Sequence, residues 1–128
     1  MTPDLTHPDL EKKDAELRAL AKGGDMTPLE ILKRARELIS VPERWTQGSF
    51  ARDAKGLDID NSRSKRAVCW CSWGALEHVT NGRAGLADAI CILQKAMRMP
   101  VARYNDLYSH KATLRAFDRA IAVAEGGR

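Results

Sequence analysis

Ten residues, Ala67-Val68-Cys69-Trp70-Cys71-Ser72-Trp73-Gly74-Ala75-Leu76, hold two of the three tryptophans and two of the three cysteines of a 128-residue chain. A chain of this length buries one core and not two. With 3 Trp, 2 Tyr and 2 Phe in all, that core is expected to close around this stretch. Val68, Cys71, Ala75, Leu76 and Val79 recur at helical spacing, so the stretch reads as a helix from near Ala67 to near Asn81-Gly82.

Three other apolar stripes have the same period. Thr27-Pro28-Leu29-Glu30 is a helix start: the Thr27 hydroxyl can accept from the backbone N–H three residues on, Pro28 suits the first helical position, and Glu30 can reach back to the cap. Ile31, Leu32, Ala35, Leu38 and Ile39 then line one face, with Lys33, Arg34, Arg36 and Glu37 on the other, until about Ser40, before Pro42. Leu86, Ala89, Ile90, Leu93, Ala96 and Met97 mark a helix from Leu86 to Met99 that stops at Pro100. The last helix starts near Ser109 and turns Leu114, Phe117, Ile121 and Ala124 inward.

Between the first two stripes the period changes. Trp45 to Arg52 is rich in β-compatible residues, Asp53-Ala54-Lys55-Gly56 is a turn, and Leu57-Asp58-Ile59 alternates. A short hairpin near 45–59 is expected, anchored on the helices by Phe50 or Trp45 and by Leu57 or Ile59, because two strands alone are marginal in water. Asn61 to Arg66 reads as a polar, basic loop. The fold class is therefore mainly α with a short β-hairpin (α+β). Four body helices and the hairpin occupy 25–128, and 1–24 forms an N-terminal arm that is helical from Thr6 or His7 to Gly23-Gly24 or solvated, and that offers a surface for oligomer contacts.

The net charge of +4 comes from 21 basic and 17 acidic side chains. Residues 1–27 carry 4 basic and 6 acidic groups, so the positive excess lies beyond the arm. Met1 to Lys13 is polar and unlike a signal peptide, three cysteines is an odd count, and no apolar run is long enough to cross a bilayer. These features point to a cytoplasmic protein with free thiols and no membrane partner.

Three kinds of chemistry are open. For a metal, Cys69 and Cys71 would diverge by roughly 200° on a helix, and His78 lies too far along to complete a set; no metal and no cofactor is expected. For a nucleophile, Cys71 is the candidate, although its place on the apolar face favours a core thiol. For binding, Trp45, Gln47, Arg52, Asp53, Trp70, Asn105 and Asp106 would set donors and acceptors on an apolar wall. Here Tyr104-Asn105-Asp106 is placed in a connecting loop, where such residues also serve to hold backbone.

Trp45-Thr46-Gln47-Gly48, Ala51-Arg52-Asp53, Cys71-x-x-Gly74-Ala75-Leu76 and Asn105-Asp106 before a helix resemble a small family of uncharacterised bacterial and phage proteins known as a domain of unknown function. The resemblance covers about Leu29 to Ala124. The family pattern has Trp before the Asn-Asp pair, where this chain has Tyr104. The resemblance implies a small α-rich fold with a hairpin, a bacterial or infected bacterial host, and a role in phage–host conflict.

The leading expectation is a small intracellular binding or interaction protein for a small ligand or another protein. The alternatives are a cysteine-dependent hydrolase or transferase, with Cys71 attacking and Gln47 as oxyanion donor, and a weak nucleic-acid binder using Arg63, Lys65 and Arg66.

Overall fold

The structure is a computed structural model that describes residues 26–126. The expected arm at 1–24 lies outside the described residues. Helix α1 is Pro28–Leu38, followed by a single 3-10 turn at Pro42–Arg44; strands β1 (Ala51–Arg52), β2 (Asp58–Ile59) and β3 (Cys69–Trp70) come next; then helices α2 (Ser72–Thr80), α3 (Leu86–Met97), α4 (Val101–Leu107) and α5 (His110–Ala124). The fold is mainly helical, with a small three-stranded sheet.

Helix α1 begins as its residue types dictate. Thr27 Oγ1 accepts from Glu30 N at 3.1 Å while Glu30 Oε1 accepts from Thr27 N at 3.0 Å, a reciprocal capping box. It packs on α2, α3 and α5, and α3 packs on α5. Ile31, Leu32, Ile39, Leu76, Leu93, Val101 and Phe117 have no exposed surface where these helices meet. Each such side chain contributes about 1.5–3 kcal/mol of apolar burial.

Four expectations are corrected. The helix drawn from Ala67 starts later: Cys69 and Trp70 form a strand, Cys71 is the helix N-cap in extended conformation, and Cys71 Sγ accepts from Gly74 N at 3.3 Å. β-Branched and aromatic residues at 68–70 pair with β1, and this tertiary pairing overrides an apolar spacing that a helix would also satisfy. Tyr104-Asn105-Asp106 is helical within α4, so there are five described α-helices where four were expected. Arg34, assigned to the polar face of α1, is buried at 7 % exposure. In α5, Thr113, Ala116 and Ala120 accompany Phe117 as the innermost residues, with Leu114, Ile121 and Ala124 only partly buried.

The hairpin is present but narrower than 45–59. The sheet order is β2-β1-β3, all antiparallel, with Ala51 opposite both Ile59 and Trp70 and Arg52 opposite Asp58 and Cys69. Trp45 joins its far edge, in a parallel bridge to Trp70. Of the expected anchors, Ile59 is buried and Trp45 packs partly buried against the core, whereas Phe50 and Leu57 are exposed. The central strand β1 meets α2 end on: Cys71 N donates to Phe50 O, and a Cβ at Gly74 would stand 2.0 Å from that same oxygen.

Gly74→Ala should therefore cost about 3 kcal/mol or more, because the clash is with backbone that two strands hold in place. Thr27→Ala should cost about 1 kcal/mol by removing one cap. Chemical denaturation of both variants checks the ranking; equal midpoints would contradict it.

Candidate functional site

The polar motifs converge on one side chain. Asn105, in α4, has no exposed surface. Its Oδ1 accepts from the Trp45 indole N–H at 2.7 Å, from Ser72 N at 2.9 Å and from Ser72 Oγ at 2.8 Å. Its Nδ2 donates to Thr46 O at 2.9 Å, with Asp106 Oδ1 at 3.4 Å. Both amide hydrogens and both oxygen lone pairs are thereby engaged within the protein. Ser72 N is one of the open N–H groups at the start of α2, so Asn105 caps that helix from a distant part of the chain.

Gln47 does the complementary work at the other end of α4. A helix leaves its last carbonyls unpaired, and Gln47 Nε2 lies 3.0 Å from Asn105 O, 3.3 Å from Asp106 O and 3.0 Å from Tyr108 O. Gly48 N donates to Asp106 Oδ1 at 2.9 Å. Trp45, besides its bond to Asn105, lies with its ring centroid 5.2 Å from that of His110, whose Nε2 donates to Ile39 O at 2.6 Å.

Arg52 and Asp53 shape the loops on either side. The Arg52 guanidinium reaches Thr46 Oγ1 at 3.0 Å, Gln47 O at 3.1 Å and Gly56 O at 3.2 Å, tying the Trp45 segment to the hairpin turn. Asp53 Oδ1 accepts from Lys55 N and Leu57 N, a side-chain-closed turn of the kind short acids favour. Of the seven expected binding residues, five thus lie in one bonded frame: Trp45, Gln47, Arg52, Asn105 and, at its exposed edge, Asp106. Asp53 closes the adjoining turn, and Trp70, bridged to Trp45 through its backbone, turns its indole N–H to Ser62 O at 2.9 Å.

Beside the frame opens a cleft of about 430 Å³ lined by Gly48, Ser49, Phe50, Asp58, Ile59, Asp60, Cys71, Ala102 and Asp106. Ser49 Oγ bonds the Asp58 carboxylate across its rim. Cys71 forms part of the floor but is 3 % exposed. Burial pushes its thiol up to about 11; the Gly74 and Trp73 N–H groups pull it down, and the Asp106 carboxylate adds to the upward push. Cys69 is also raised by burial, against the pull of Arg52 and Thr46. Asp58 and Asp60 were not singled out from sequence, since single acids in a turn-rich segment carry no mark of the cleft they line.

A second cleft, of about 470 Å³, is lined by Arg34, Arg63, Ser64, Lys65, Ala67, Trp70, His78, Val79, Asn81 and Arg83. The Trp70 and His78 rings meet tilted at 49°, with centroids 4.7 Å apart, and His78 Nδ1 donates to Ser62 O at 2.8 Å. Sequence reasoning named Trp70, Arg63 and Lys65 as contacts, but it placed Arg34 on a polar helix face, weighed His78 against a metal set and did not single out Arg83. Arg34 follows Ile31 by three residues and precedes Leu38 by four, so the same apolar spacing that marks the inner face could have found it. Among the described residues no group of three or more His, Cys, Asp or Glu side chains could hold a metal ion, and no helix is long and apolar enough to cross a membrane.

The model of a family of unknown function, DUF6197, matches residues 24–123. Neither a curated protein nor a solved structure matches the chain.

Removing Asn105 leaves the Trp45 N–H, the Ser72 groups and the Thr46 carbonyl without their partner. At about 1–3 kcal/mol per buried group left unpaired, Asn105→Ala should lower the melting temperature by many degrees, and Arg52→Ala by less, since its three bonds are nearer the surface. Asp106→Ala, at the exposed edge, should fall closest to the parent. Thermal melts that leave Asn105→Ala unchanged would refute the frame.

Proposed function

The chain belongs to that family of unknown function, and from the geometry of its own residues we propose that the domain is a binding module and not a cysteine enzyme. The observation that carries the reading is the state of Cys71. A nucleophilic thiol needs a lowered pKa and a base within hydrogen-bond reach. Cys71 is instead buried, pushed up to about 11, and occupied as the acceptor for Gly74 N. The charged groups lining its cleft are Asp58, Asp60 and Asp106, and the Asp106 carboxylate disfavours a thiolate.

On this reading Trp45, Gln47, Arg52 and Asn105 hold the frame, Asp53 closes the turn beside it, and recognition falls to the clefts that flank it, at Asp106 on one side and Trp70 on the other. Gln47, the oxyanion donor of the enzyme alternative, spends its amide on the carbonyls that end α4. The likeness of the sequence motifs to bacterial and phage proteins supports an intracellular partner or small ligand and a place in phage–host conflict. A rigid frame with open clefts suits such recognition, because pre-organised groups lose less entropy on binding.

The test is thiol accessibility in a Cys69→Ser, Cys91→Ser background. Cys71 should label slowly in the native protein at neutral pH and fast after unfolding, and the native rate should climb as pH approaches 11. The folded thiol titrates above the unfolded one. Its contribution to stability is therefore complete below the ordinary thiol pKa and is lost as pH rises through about 11, so Cys71→Ser should show a flatter loss of stability in that alkaline window. Rapid native labelling at neutral pH would overturn the reading.

A further inference from the structure

We propose that the Trp70–His78 cleft is an anion site for a small phosphate-bearing molecule. The inference rests on the binding-module reading and gives that module its ligand class. Four cationic side chains from three separate parts of the chain meet there: Arg34 from α1, Arg63 and Lys65 from the loop after β2, and Arg83 from the turn between α2 and α3. No acidic side chain is among the described residues that line it. Asp60 and Glu77 line a neighbouring depression that shares Arg63, and Glu77 is bonded to Ser62 Oγ at 3.0 Å.

Two basic side chains on other faces are paired, Arg36 with Asp118 at 2.6 Å and Lys33 with Glu125 at 3.2 Å. The heads of Arg63, Lys65 and Arg83, by contrast, form no salt bridge among the described residues. Gathering Arg63, Lys65 and Arg83 at one cleft costs repulsion that folding alone does not require. An incoming phosphate offsets it, and guanidinium groups bond phosphate oxygens in a fork that one ammonium cannot match.

Two further features select a small ligand. The volume of about 470 Å³ lies in the range of small-molecule sites, and the cations ring one cleft, where a track for a nucleic-acid backbone would string them along a surface. Arg66, beside Lys65, is exposed and is not among the lining residues. The loop that carries Arg63 and Lys65 is held in shape: Trp70 Nε1 and His78 Nδ1 both donate to Ser62 O, and Ser64 N donates to Asn61 O at 3.0 Å. Arg63 also lies over Gly82, where a Cβ would come 3.0 Å from its guanidinium. The site is therefore pre-arranged by backbone, with cationic side chains and an aromatic pair lining one cleft.

The experiment is calorimetric titration of the full chain at low salt with inorganic phosphate, AMP, adenosine and thymidine oligonucleotides of two lengths. AMP and phosphate should bind and adenosine should not. Arg63→Ala and Arg83→Ala should each weaken AMP by about tenfold with the melting temperature nearly unchanged, whereas Lys95→Ala, an equal loss of charge on the exposed side of α3, should leave AMP binding as it was. Arg34 is left in place because it is buried and its loss would disturb α1. Absence of AMP and phosphate binding in a protein whose Cys71 still labels slowly overturns the site while the binding-module reading survives. An equal loss in Lys95→Ala, or oligonucleotide binding that tightens with length and exceeds AMP, also overturns it, the latter in favour of a nucleic-acid partner.

Discussion

The amide of Asn105 is the point on which the rest of the structure depends. It is placed where three chain segments with no common helix or strand must be brought together: the Trp45-Thr46 segment, the N-terminus of α2 at Ser72, and α4 itself. A neutral amide suits the task better than a carboxylate, since the site needs donors and acceptors at once and offers no cation to balance a buried charge. A hydrophobic residue there would leave buried N–H and C=O groups unpaired, which costs more than its own burial would return. The sheet, too small to be stable alone, is carried by this amide, by the Gln47 and Gly48 bonds to α4 and by the packing of Trp45 and Ile59.

Much of the helical frame was legible because it depends on local rules. The Thr27–Glu30 box, the stops at Pro42 and Pro100, the Ser109 cap and the inward Phe117 all follow from residues within a few positions of one another. What was not legible depends on distant partners. Cys69-Trp70 satisfies helical spacing as well as strand spacing, and only β1 decides between them. Tyr104-Asn105-Asp106 has the composition of a loop and becomes helical because Gln47 closes its last carbonyls from another part of the chain. The motif residues were correctly seen to act together, yet from sequence a bonded frame and an open pocket look alike: both gather amides, a guanidinium and carboxylates beside tryptophan.

The two clefts show how a small domain separates opposite charges over a short distance. Trp70 and Cys71 are neighbours in the chain, yet the first lines the basic cleft and the second the acidic one. Adjacent residues of extended backbone point to opposite sides. The exit from β3 into α2 thus acts as a partition, with acidic side chains lining the cleft on one side and basic side chains lining the cleft on the other.

The reach of Gln47 also sets the order in which the chain can become structured. Its bonds to the end of α4 span 58 residues in one case and 61 in another, and a helix of seven residues has too few internal bonds to persist without them. α1 and α5, with local side-chain caps, and α3, with a broad apolar face, can form and pack early, whereas α4 is completed only when the hairpin segment arrives. Contacts of such separation are the ones that pay loop-closure entropy last. The segment from Pro100 to Tyr108 is thus expected to open first in native-state hydrogen exchange, together with Trp45 to Gly48, as one cooperative unit made of two pieces that are remote in the chain.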